Sequence, residues 1–352
     1  MSKKIVALKY ALVFTLPFTA YIAFINEGWL AWLHLLYAFG FIPLAELFFN
    51  PNRENLSKAK TEIAKEDFVY DLILYLVVPI QFLLLAFFLY VIGQTPVGSS
   101  VWFGRVVSMG LLCGVMGINV AHELGHRCTW YERFMAKTLL LSSLYMHFYI
   151  EHNRGHHKNV ATEQDPATAR YGESIYIFWL RSVWYSYVSA WKIESLRLTQ
   201  KGFRFFSWQN EMLRMQCIQL TFLLGIYLFF GFFVFISFLI AAILGFLLLE
   251  AVNYIEHYGL MRNMSANRYE RTLPCHSWNS NHLIGRLMLF ELSRHSDHHY
   301  IASRKYQILR HHEMSPQMPT GYPGMMLLAL VPPLWFYVMH KEIRDFSRAT
   351  TA

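Results

Sequence analysis

Long apolar runs separated by short polar breaks dominate the chain. A helix needs about 20 mostly apolar residues to cross the hydrocarbon core of a bilayer. Such runs lie at about 5–25, 29–49, 68–92 and 101–121. Asn26, Glu27 and Gly28 form a tight turn between the first two. Residues 217–249 are apolar throughout, and the helical pattern extends at both ends. That stretch is too long for one span and fits two, about 213–230 and 232–256, joined near Gly231. The pattern therefore predicts six spans. Residues 174–191 mix aromatics with few charges, which suits a helix lying at headgroup level or packed on the polar part of the chain. Residues 325–339 are apolar but short and interrupted by Pro332 and Pro333, so a re-entrant or interfacial piece is expected. The polar remainder is about 122–212 and 258–352. With no internal repeat, low-complexity tract or linker, residues 1–352 read as a single integrated domain.

Composition strengthens the membrane reading. Of 352 residues, 55% are hydrophobic and only 15% charged, against about 25% charged in soluble domains. A disordered chain, a disulfide mini-protein and an ordinary cytosolic enzyme are thereby excluded. The four cysteines (Cys113, Cys128, Cys217, Cys275) include no C-x-x-C pair, so neither a disulfide framework nor a cysteine-type zinc site is indicated. The net charge is +8. Its distribution points to membrane orientation rather than to nucleic acid. Lys3, Lys4, Arg53, Lys58, Lys60 and Lys65 lie in the N-terminus and the 50–66 loop, and both polar segments are rich in Lys and Arg. The turns at 26–28, 94–100 and about 231 have none. By the positive-inside rule, both termini and the polar segments face the cytoplasm. Residues 1–25 make a poor signal peptide, because a second apolar run follows at once and no cleavage site is evident. The expected fold is an all-α integral membrane protein. It has six transmembrane helices and a cytoplasmic histidine-rich metal-binding domain, in the inner membrane.

Histidine is the unusual residue, with 16 copies. One cluster is His122-Glu-Leu-Gly-His126, where the fourth span ends. Residues at i and i+4 share a helix face, so both imidazoles can reach one ion. A second is Glu151-His152-Asn-Arg-Gly-His156-His157. Here His152 and His156 have the same spacing, with His157 turned aside toward a second ion. His257 stands alone at the end of the sixth span, and Arg294-His295-Ser-Asp-His298-His299 repeats the paired ending of the second cluster. Alone, His257 reads as a capped or structural group; beside the other clusters it reads as a ligand. All four lie just beyond predicted spans, at one depth.

Nine imidazoles exceed what one ion accepts, so two metals are the natural count. Imidazole suits iron, zinc, copper and nickel; open positions and redox chemistry favour iron. Metal-bound histidines usually donate their other N–H to a carboxylate or carbonyl. Glu123, Glu151, Asp165, Glu256 and Asp297 are candidates for that orienting role, as is His282 close to the fourth cluster.

HELGHR (122–127), EHNRGHH (151–157), NYIEHYGL (253–260) and RHSDHH (294–299) resemble the boxes of membrane-bound alkane 1-monooxygenases. These belong to the histidine-box superfamily of membrane desaturases and hydroxylases. The similarity extends to VATEQDPATAR (160–170), HSWNSNH (276–282) and GYPGM (321–325), and covers about 100–340. Ser293 and Tyr300 depart from the Gln and Ala expected beside the fourth box. The resemblance implies a non-haem di-iron site held by His122, His126, His152, His156, His157, His257, His295, His298 and His299. It implies insertion of one oxygen atom from O₂ into the terminal C–H bond of an n-alkane, giving a 1-alkanol. Electrons would come from rubredoxin, reduced in turn by a nicotinamide-dependent reductase. This chain has no paired C-x-x-C motifs, so rubredoxin would act in trans, docking on the basic face.

An alkane has no polar handle, so selectivity for the chain end must come from the shape of an apolar channel. Each buried methylene contributes about 0.8 kcal/mol. The same scaffold can also desaturate, or hydroxylate an aromatic methyl group, a fatty acid or a terpene. An intramembrane zinc protease built on HELGH, with Glu123 as general base, leaves seven histidines unexplained. A metal transporter would place its ligands near mid-membrane.

Overall fold

A computed structural model describes residues 3–351. Six of the described helices are long and apolar enough to cross a membrane: Val6–Ile25, Gly28–Glu46, Phe68–Ile92, Ser100–Gly125, Glu211–Phe230 and Phe232–His257. The protein is a multi-pass, mostly helical membrane protein. Local chemistry explains where several spans begin. Asp67 accepts from the Val69 N–H at 3.0 Å, Ser99 from Trp102 N–H at 3.1 Å, and Asn210 from Leu213 N–H at 3.1 Å. Each satisfies an otherwise orphaned donor of a first helical turn. Gly231, at φ +82°, turns the chain between the fifth and sixth spans, where the apolar run was expected to divide. The second span ends at Glu46 rather than about 49. Leu47, Phe48 and Phe49 continue in tighter i, i+3 turns and are exposed. The apolar signal therefore outlasts the helix.

The chain forms two compact units, each assembled from separated stretches. One comprises residues up to 40, 66–155 and 186–249. Its spans approach closely where side chains are smallest. A Cβ on Gly245 would lie 2.5 Å from the Cβ of Cys113, and one on Gly104 would lie 2.6 Å from the Ala31 carbonyl oxygen. Small residues permit such helix contacts in lipid. Gln81, fully buried, donates to Ser142 Oγ at 3.1 Å. The fourth span is 72% buried over its apolar window, the fifth only 17%. Leu228 and Phe229 are correspondingly exposed, as lipid-facing side chains are.

The other unit comprises 41–65, 156–185 and 250 onward. The segment expected to be re-entrant is two helices, Tyr322–Ala329 and Pro332–Thr351. Pro332 opens the second, where its missing N–H costs nothing. All of the 174–191 stretch but Ser174 lies within one helix, Ile175–Gln200. Met264–Ser265 and Arg268–Tyr269 form a two-residue hairpin ladder, closed by Ala266 and Asn267 at positive φ.

Candidate metal centre

In the first unit, the fourth span changes winding before its histidines. Residues Cys113–Asn119 form a π-helix, and α-helix resumes at Val120–Gly125. His122 and His126 then lie with ring centroids 5.0 Å apart. His152 joins them: its ring is 4.4 Å from His122 and its Nε2 is 3.1 Å from that of His126. Arg127 anchors the helix end, donating to Glu123 at 2.7 Å and pairing with Asp71 at 3.3 Å.

The second cluster departs from the i, i+4 reading. His152–His156 is a π-turn, which advances about one residue more per turn than an α-helix. His152 therefore meets His122 and His126, while His156 belongs to a separate group in the other unit.

That group is His156, His257, His295 and His299, all buried. Their Nε2 atoms face one another: 3.1 Å from His156 to His299, 2.8 Å from His299 to His295, and 3.1 Å from His295 to His257. Nitrogens about 2.1 Å from one ion stand about 3.0 Å apart at right angles and about 3.4 Å apart in a tetrahedron. The observed spacing fits a metal with more than four coordination positions better than a closed tetrahedral one. His298 and His157 face each other in the same manner, Nε2 to Nε2 at 3.1 Å.

The surroundings prepare these imidazoles as ligands. Burial, then the neighbouring His295 and His157, hold His299 well below the ordinary imidazole value. It is neutral, with a lone pair to give. Asp165 accepts from His156 Nδ1 at 2.9 Å, which turns Nε2 inward. Thr168 Oγ1 and the Ala167 N–H also donate to Asp165, at 2.6 and 3.1 Å. Burial pushes this carboxyl up, but the charge and hydrogen bond of His156 outweigh it and hold it below the usual carboxylate value. This cradle is the physical content of the 160–170 motif.

The other candidate orienting groups have varied partners. Glu256 Oε2 is 3.1 Å from His295 Nε2, on the inward-facing nitrogen rather than the outer one. Its second oxygen accepts from Tyr322 at 2.7 Å. Asp297 accepts from Arg304, from His312 at 2.6 Å and from the Arg310 N–H at 2.9 Å. The histidine it orients is thus His312, outside the nine. His282 bonds Ser280 Oγ at 3.0 Å. Glu151 accepts from Ser189 at 3.4 Å.

Three positioning residues went unread in the sequence. Asn279 Oδ1 accepts from the Ser296 N–H at 2.9 Å and its hydroxyl at 2.8 Å, clamping the helix that carries the fourth cluster. Ser277 Oγ lies 3.5 Å from His257 Nδ1. Tyr322 holds Glu256. The signal was present, because all three fall in the 276–282 and 321–325 motifs.

The chain is similar to known proteins over most of its length. Residues 100–329 match the fatty acid desaturase family. Alkane 1-monooxygenase 2 of Pseudomonas aeruginosa is 41% identical over 90% of this chain and 84% of its own length. Alkane 1-monooxygenase 1 of Alcanivorax borkumensis is 40% identical over 92% and 80%. The hydroxylase component of the xylene/toluene monooxygenase of Pseudomonas putida is 30% identical over 70% and 65%.

Proposed function

The chain belongs to the alkane 1-monooxygenases within the fatty acid desaturase family, and from that membership we propose that it hydroxylates the terminal carbon of n-alkanes. Two iron ions are the proposed cofactors. His156, His257, His295 and His299 would hold one. His122, His126 and His152 in the first unit, and His157 and His298 in the second, are the remaining proposed ligands. The observation that carries this reading is the set of four inward-facing Nε2 atoms within 4.8 Å of one another, all buried. Bound iron supplies O₂ activation and the oxidant that an unactivated C–H bond demands.

The protein's own residues supply the rest. Asp165 keeps the outer His156 proton at Nδ1, leaving Nε2 free for the metal. Burial of His156, His257, His295 and His299 shields that group of imidazoles from water. Asn279 and Ser277 hold the last cluster in register with His257. The apolar substrate reaches the centre from lipid, and shape selects its end. Electrons are proposed to come from rubredoxin, a reading supported by the family membership. The inner membrane, with both termini and the metal centre on the cytoplasmic side, is the proposed location, resting on the Lys and Arg asymmetry of the loops. A continuous sequence without internal repeat, low-complexity tract or flexible linker supports one integrated domain.

The test is product analysis in nanodiscs with octane, O₂, rubredoxin, its reductase and reduced nicotinamide cofactor. The expected product is 1-octanol. Oxidation of the methyl group of toluene with octane untouched would overturn the alkane assignment in favour of the aromatic-methyl reaction.

A further inference from the structure

We propose that the first unit carries a binding site for an anionic phospholipid at the head of the fifth span. A pocket of about 390 Å³ there is lined by Arg154, Arg197, Lys201 and Arg214 together with Trp208 and Glu211. A groove of about 430 Å³ shares Trp208, Glu211 and Arg214 with it and continues along Leu141, Met146, Met215 and Ile218. The first is cationic and the second apolar, so together they match a phosphate headgroup joined to an acyl chain.

Charge decides the sign of the ligand. Glu211 is engaged by Lys137 at 2.5 Å and Arg154 at 3.5 Å. Glu194, fully buried, is engaged by Arg197 at 2.6 Å and Arg154 at 3.7 Å. Lys201 and Arg214 have no carboxylate partner among the described residues, and Arg214 Nε is buried without a hydrogen bond. The surplus is therefore positive and lies at the mouth of the groove. Position decides the class of ligand. The span begins at Glu211, and Phe206 and Trp208, 83% and 77% exposed, stand just before it. Aromatics in that place mark the headgroup level, where basic pockets beside spans take anionic lipids. An acidic protein would meet a convex or flat cationic face; a hollow that continues into an apolar groove suits a lipid.

The test measures lipid affinity of delipidated protein in detergent by native mass spectrometry, with phosphatidylglycerol and phosphatidylcholine of equal chain length. Phosphatidylglycerol is expected to bind at least about tenfold more tightly. Each interfacial cation is worth about fivefold in affinity. Lys201→Gln, at an exposed position, should therefore weaken phosphatidylglycerol about fivefold, and K201Q with R214Q about thirtyfold. Phosphatidylcholine should be unchanged in both. Ile218→Asn should weaken both lipids through the groove. Millimolar inorganic phosphate should not displace phosphatidylglycerol. Four results would each overturn the proposal: equal affinity for the two lipids, unchanged affinity in both charge variants, displacement by phosphate alone, or displacement by soluble polyglutamate at lower concentration than by lipid. The last would reassign the pocket to an acidic protein.

Discussion

Asp165 holds His156 through its outer nitrogen, and that single contact carries a prediction. Asp165→Asn keeps the shape but removes the charge. Loss of such an orienting carboxylate typically costs about 10–100-fold in metal affinity. Iron retained against a chelator should fall accordingly, with the fold intact by circular dichroism. A second residue predicts pH dependence. His147, buried beside Tyr145 and Tyr187, is pulled down to about 3 by burial. The unfolded chain binds a proton there near pH 6.5 while the folded chain does not, so stability falls as pH drops below about 6.5. At pH 5 the penalty is about 2 kcal/mol. His147→Phe should lose less stability between pH 7 and pH 5 than the parent by about that amount, read from thermal unfolding in detergent. An equal loss in both would show that His147 does not titrate this way.

Elements add constraints that single residues do not. Gly245 meets Cys113 so closely that any side chain must push the helices apart. Gly245→Leu should lower stability by about 1–3 kcal/mol through overpacking. Gly225→Leu, with nothing within 4 Å of its Cβ position, should leave the unfolding midpoint nearly unchanged. The spans themselves were legible in sequence, because twenty apolar residues in a row have few other fates. So were the four histidine clusters, because their spacing is local. The π-turn at 152–156 was not. Winding of that kind arises from packing rather than from the apolar period, so the pairing of His152 with His156 read from i, i+4 spacing failed. Asp297 shows the same limit. It sits between histidines in sequence, yet its carboxylate turns to Arg304 and His312. Sequence proximity marks a candidate, and only the fold decides which face its side chain takes.

At the scale of the molecule, the proposed orientation is directly testable. Cys128 is exposed and lies just past the first histidine cluster. A membrane-impermeant maleimide should label it only after the membrane is opened; labelling from outside intact spheroplasts would reverse the proposed sides. The exposed, nearly continuous apolar surface of the fifth and sixth spans predicts extraction by detergent and not by alkaline carbonate. The central claim is the di-iron centre, and metal content tests it most directly. Protein purified after iron-replete expression should carry near two irons per chain, and His299→Ala should lose iron. Near one zinc per chain, retained in His299→Ala and removed by His122→Ala, would contradict the account.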